Sequence, residues 1–206
     1  MAFVASFSPG AAASLSLHAS SALAQQAELR LGEERYQIIG RIRLDRRGEL
    51  IERLAPKFPA VDPASSDADL CLMAYAVWGE DCLAQLHGDF AFALCDETGR
   101  KLLCARDRLG VRTLTYLQAG GAWWVSDSLS ELVAASGFDG QALDRVWIRD
   151  FLKIGFCDDP ARTVYADVHR LLPGHTLALA PDRAELCRYW QLELTEPVFL
   201  DRKSVV

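Results

Sequence analysis

The 206 residues carry 22 Lys and Arg against 28 Asp and Glu, a formal net charge of −6, and half of them are apolar. That apolar share is enough for a sizeable buried core, whereas the acidic balance leaves no broad basic surface for nucleic acid or an anionic membrane. No stretch approaches the roughly 20 apolar residues that span a bilayer and no Lys/Arg-flanked apolar run opens the chain, so a cytoplasmic protein is expected.

In chain order, Ala2 to Phe7 is a short apolar start, and the partial alternation of SLSLHASSAL fits an edge strand. ELRL and RYQIIGRIRL alternate polar and β-branched residues and predict two strands meeting at the Gly32 turn. DRRGELIERL places Leu50, Ile51 and Leu54 at helical spacing with Asp45 positioned to cap it. After the loop KFPAVDPASS, Ser66 or Asp67 caps a helix that runs to Gly79, and a second short helix reaches Leu86. DFAFALCD, RKLLCARD, TLTYLQ and AWWVSD then predict a meander of four antiparallel strands. SLSELVAA and LDRVWIRDFLK are helical, and the chain returns to strands in a hairpin about Pro181-Asp182. Residues 191–206 lose periodicity and read as a linker following a domain of residues 1–190.

The six cysteines form no CxxC pair and lie mostly in apolar runs, so they are read as small core hydrophobes rather than metal ligands or disulfides. The four histidines are equally scattered, without a partner at ligand spacing. Trp78, Trp123 and Trp124 sit in strand and helix-end contexts and are read as packing groups.

From roughly residue 35 to 190 the chain carries a series of motifs in one order: Ser66, Asp67 and Asp69; Trp78 and Gly79; Leu86, Gly88 and Phe90 to Ala93; Ala105 to Arg108 with Gly110, Arg112, Leu114 and Tyr116; then SDSLSELVAA and RLLPGHTLAL with RYW. This series resembles the N-terminal, class II glutamine amidotransferase domain of the asparagine synthetase family. The resemblance implies an N-terminal-nucleophile hydrolase fold, an α+β four-layer α/β/β/α sandwich of two antiparallel sheets, with Phe90, Ala91, Phe92, Leu102 and Leu103 in its buried layers.

The resemblance also implies a set of site positions, and this chain departs from most of them. The family's nucleophile is a cysteine at the second position, whose thiolate attacks the glutamine amide while its own α-amine handles the proton. Here that position is Ala2, so no catalytic residue is expected. The family's Asn-Gly-Glu run, which supplies oxyanion donors, falls without a gap on Arg41, Ile42 and Arg43; a two-residue shift places it on Ile39, Gly40 and Arg41. In the first register Ile42 is expected to fill the substrate's space. Asp67 stands where the family holds the glutamine α-ammonium, although the simpler expectation is a helix cap. Arg106, Asp107, Gly110 and Arg112 are expected to be structural, Arg106 and Asp107 through an Arg–Asp network with Arg108.

The family's synthetase half holds pyrophosphate on a Ser-Gly-Gly-x-Asp-Ser loop, and no such run occurs in this sequence. No cofactor is expected in this chain; ATP and Mg belong to an absent synthetase domain, which is the expected partner. A parent lacking glutaminase residues would use an amine already present in its substrate. That pattern, with the RLDRRGEL run, is similar to the lasso peptide macrolactam synthetases, whose partners would include a precursor peptide and its processing proteins. A fragment of a glutamine-hydrolysing asparagine synthetase and a stand-alone peptide- or protein-binding module are the alternatives.

Overall fold

The computed structural model of the chain describes residues 2–9, 14–19 and 23–193. Strands β1 (Phe3–Ser8) and β2 (Ser14–Ala19) open it, followed by β3 (Gln25–Leu31) and β4 (Glu34–Leu44), whose hairpin turns at Gly32 as the sequence expects. Helices α1 (Arg47–Leu54) and α2 (Asp67–Trp78) follow, then a short 3-10 helix over Gly79–Ala84. Next come β5 (Gly88–Asp96), β6 (Lys101–Arg106), β7 (Thr115–Ala119) and β8 (Ala122–Ser126). Helices α3 (Leu129–Ser136) and α4 (Arg145–Ile154) precede β9 (His169–Arg170), β10 (His175–Ala180) and β11 (Arg183–Arg188).

The strands form two antiparallel sheets, one ordered β2-β1-β8-β7-β9 and the other β11-β10-β6-β5-β4-β3. Strand alternation decides what each residue faces. On β5, Ala91, Ala93 and Cys95 point into the seam between the sheets, where they meet Phe3, Ala5, Phe7 and Val125 of the opposite sheet. Phe90, Phe92 and Leu94 point the other way, beneath Leu50 and Leu54 of α1 and Leu70 and Leu72 of α2. Leu132 of α3 closes the outer face of the first sheet with Leu117 and Val168. The layering is therefore α/β/β/α, and Phe90, Ala91, Phe92, Leu102 and Leu103 are all fully buried. Gly40 is required by this packing, because a Cβ there would lie 2.5 Å from Cβ of Phe92 on the neighbouring strand.

Three expectations are corrected. The four strands β5 to β8 are not one meander: β5 and β6 lie in one sheet and β7 and β8 in the other. Apolar alternation is identical in both sheets, so periodicity does not reveal where the chain crosses between them. Asp45 does not cap α1, whose N-cap is Arg46 in the left-handed region at φ 54° with no side-chain cap. Asp45 pairs with Arg43 instead, at 2.6 Å. Nor does Asp67 cap α2: Ser66 Oγ accepts the Asp69 N–H at 3.1 Å, and Asp69 Oδ2 accepts the Ser66 N–H at 3.1 Å, a capping box that leaves Asp67 free for other work.

Helix α4 is amphipathic and well capped, with Asp144 Oδ1 accepting the N–H groups of Val146 at 2.8 Å and Trp147 at 3.0 Å, yet none of its residues is buried. Trp147 and Phe151 stack on each other at 5.0 Å, while Leu152 is 78% and Phe156 just beyond it 59% exposed. No helix among the described residues is long and apolar enough to cross a membrane.

Candidate functional site

The chain crosses from one sheet to the other through residues 107–114, and two buried charged side chains shape that crossing. Asp107, 1% exposed, accepts the N–H groups of Leu109 at 3.1 Å and Val111 at 2.9 Å on Oδ1 and that of Arg112 at 2.9 Å on Oδ2. Arg106 donates to three carbonyls, those of Arg112 at 2.5 Å, Leu171 at 2.7 Å and Gly110 at 2.8 Å. Desolvation lowers the Arg106 pKa from its ordinary value, with the Asp107 charge acting against it. The expected Arg–Asp network is thus corrected: the carboxylate serves amides and the guanidinium serves carbonyls. Gly110 completes the turn at φ 70°, where a Cβ would lie 2.6 Å from Cγ of Pro173. Arg108 takes a separate path, donating to the Ala84 carbonyl at 3.0 Å and lying 3.4 Å from His87 Nδ1.

This loop forms one wall of a cavity of about 250 Å³ lined by Val111, Arg112 and Thr113 together with Arg41 of β4 and Asp127, just after β8. Arg41 Nε stands 2.8 Å from Asp127 Oδ2, and Asp127 Oδ1 accepts the Phe3 N–H at 2.9 Å. Thr113 Oγ1 donates to the Asp127 carbonyl at 2.8 Å, and Ser126 Oγ donates to the Phe3 carbonyl at 2.6 Å. Ala2, fully buried, therefore sits at the head of β1 beside Asp127. Burial raises the Asp127 carboxyl above its ordinary range, opposed by the Phe3 amide and the Arg41 charge.

Strand parity separates the positions that the sequence grouped together. Arg41 lines the cavity, Ile42 packs beneath the helices, and Arg43 lies half open against Asp89 at 2.9 Å and Asp45. Ile42 is thus not the group that fills the space at this site, a correction that follows from alternation along β4. Ile39 is buried in the seam between the sheets. Asp67 lies on the helix side: its Oδ2 accepts the Leu44 N–H at 3.1 Å and its Oδ1 pairs with Arg47. Arg47 also donates to the carbonyls of Pro63 at 3.1 Å and Ser65 at 2.5 Å. Asp127 and Thr113 are not singled out by the sequence, although Asp127 falls within the SDSLSELVAA motif of the series. No group of three His, Cys, Asp or Glu able to hold a metal ion occurs among the described residues.

Residues 49–190 match the glutamine amidotransferase domain family, and the chain belongs to that family. It is similar to "Asparagine synthetase [glutamine-hydrolyzing] 3" of Bacillus subtilis, 30% identical over 129 residues that cover 63% of this chain and 21% of that protein. It is likewise similar to "Amidase chyE" of Penicillium rubens, 31% identical over 154 residues, 74% of this chain and 22% of that one. The chain thus spans about a fifth of the length of these relatives. Among solved structures it resembles the glutamine phosphoribosylpyrophosphate amidotransferase of B. subtilis, with a TM-score of 0.57 and 15% identity over 93% of this chain and 43% of that one. That likeness supports the two-sheet amidotransferase fold derived above.

Proposed function

We propose that this chain is a glutamine amidotransferase-like domain that does not hydrolyse glutamine and that serves an ATP-dependent, amide-bond-forming ligase related to the asparagine synthetases. The observation that carries the reading is the chemistry around Ala2: a methyl group heads β1, and Arg41 reaches across the cavity to Asp127 where the family would place an oxyanion donor. A guanidinium lying against a carboxylate does not substitute for a pair of neutral donors arranged around a tetrahedral oxyanion. Asp67 supports the same reading, since Arg47 already holds the carboxylate that the resemblance assigns to a substrate ammonium. Of the two possible registers, the ungapped one agrees better with this geometry, because Arg41 borders the cavity whereas Ile39 is sealed in the core.

Within this reading the amine acceptor belongs to the substrate itself, as in lasso peptide macrolactam synthetases. ATP and Mg then act in a synthetase domain of the parent, in the cytoplasm, with a precursor peptide as substrate. Residues 1–190 form the glutaminase-like unit and 191–206 lead towards that domain; residues 194–206 lie outside the described region.

The test is ammonia and glutamate release from glutamine by the wild type, by Ala2→Cys, and by Ala2→Cys with Arg41→Asn and Arg43→Glu. Ile42 is left in place because its side chain supports the helix layer. Wild type and single variant are expected to remain at background, since removing one oxyanion donor alone costs about 10²–10³ in rate. Turnover by the wild type overturns the reading. For the parent, peptide-dependent ATP–pyrophosphate exchange without glutamine is expected, and a strict requirement for glutamine in product formation refutes the self-contained amine.

A further inference from the structure

Helix α4 is capped at both ends, yet its own domain gives its apolar side little to pack against. Asp144 holds the first turn and Gly155 closes the last at φ 83°, and no residue of the helix between them is buried. With successive residues about 100° apart, Trp147, Ile148, Phe151, Leu152 and Ile154 fall within an arc of about 160°. Trp147 and Ile148 are partly covered, whereas Phe151, Leu152 and Ile154 are exposed. An apolar arc on a surface helix ordinarily faces the core, and this one faces water.

The charges of α4 are sorted as sharply. Arg145, Arg149 and Lys153, four residues apart, form a row within about 80° of the circumference, bordering the arc at Leu152. Arg145 stands in the first turn, where the helix dipole disfavours a cation, so the stability of the helix does not explain its place. Neither Arg145 nor Lys153 makes an ion pair among the described residues. The single acid of the helix, Asp150, is mostly covered: it pairs with Arg149 at 2.7 Å and accepts from Cys157 Sγ at 3.7 Å. The exposed part of α4 is thus an apolar arc bordered by cations, in a chain whose net charge is −6.

We propose that α4 docks on an anionic lipid surface, lying flat with Phe151, Leu152 and Ile154 at the upper ends of the acyl chains and Arg145, Arg149 and Lys153 at the level of the phosphates. Aromatic and leucine side chains on one face with Lys and Arg on the other mark helices that rest in a bilayer interface, and the cations complement the charge of acidic headgroups. Being folded and capped already, α4 has little ordering left to undergo on binding. The helix lies on the surface and does not span it, since none among the described residues is long and apolar enough to cross. The chain's overall negative charge opposes the approach, so binding is expected to be modest and to weaken as salt screens the row. The inference needs no glutamine, ATP or peptide, and it holds or fails independently of the proposed function.

The probes are sucrose-loaded vesicles of phosphatidylcholine alone and of phosphatidylcholine with phosphatidylserine in equal parts. They are sedimented with the 206-residue chain at a concentration where light scattering shows a monomer. Sedimentation with the anionic vesicles alone is expected, falling as sodium chloride is raised. Arg145→Gln with Lys153→Gln is expected to weaken it about fivefold for each charge removed, and Leu152→Glu about tenfold or more. In the wild type, the amides of α4 are expected to exchange hydrogen more slowly on anionic vesicles, which locates the contact without any variant. No sedimentation, equal sedimentation with both kinds of vesicle, or wild-type binding by Leu152→Glu overturns the proposal. Exchange in α4 that slows with rising protein concentration and not with vesicles gives the face to a second copy, and overturns it too.

Discussion

Arg47 of α1 and Asp67 of α2 form an ion pair that joins the two helices, with the second carboxylate oxygen of Asp67 holding the Leu44 N–H at the end of β4. One half-buried carboxylate thus fixes a strand end and a helix start together. Arg47→Ala is expected to remove that pair and the contacts to the Pro63 and Ser65 carbonyls at once. A loss of about 1.5 kcal/mol is expected, the low end of the range for hydrogen bonds to charged groups, because both side chains are partly exposed. Urea denaturation measures it; an unchanged midpoint would show that α1 is held by its apolar face alone.

Asp127 gives the stability a dependence on pH. Burial raises its folded pKa above the ordinary 3.8. The folded chain therefore binds the proton more tightly than the unfolded one, and this group's contribution is fully present below the unfolded value and lost as pH rises through the raised folded value. Arg41→Ala removes one of the influences that lower the pKa, so the window is expected to extend to higher pH. Carboxyl carbon titration of Asp127 in both proteins checks the shift, and a fall in the variant's pKa would contradict it.

The bare face of α4 has a measurable outcome in the isolated chain. Leu152, Ile154 and Phe156 are all more than half exposed, large apolar side chains at the end of α4 of the kind that promote association. Light scattering is expected to show concentration-dependent self-association, and Leu152→Glu with Phe156→Glu is expected to suppress it without lowering the melting temperature. A wild type that stays monomeric at high concentration would show that this face is inert.

The elements were legible in the sequence because burial imposes period and composition, and β4, β5, α2 and the β10–β11 hairpin all lie where alternation, capping residues and turn residues placed them, whereas the layering was implied by the family resemblance alone. The caps were less legible. Asp45 and Asp67 are both reasonable cap residues, and only the third dimension shows that arginines have taken their carboxylates. The site was legible as a set of departures from a family pattern, Ala2 and Arg41 foremost. Its construction was not, since the cavity joins residues from β4, the crossing loop and the end of β8, far apart in the chain. Alternation could have separated Arg41 from Ile42, but only with the inward face of β4 already known.

The buried cysteines fall into two groups that report on different seams. Cys71 and Cys82 lie beneath the helices, whereas Cys95 and Cys104 lie between the sheets. Burial pushes all four thiols up, Cys82 and Cys95 to about 12, so the reactive thiolate is scarce until the surrounding layer opens. With the half-buried Cys157 and the exposed Cys187 changed to serine, the labelling rates of the two pairs become two clocks. They time separately how often the helices lift and how often the sheets part, and equal rates would mean that the sandwich opens as a single body.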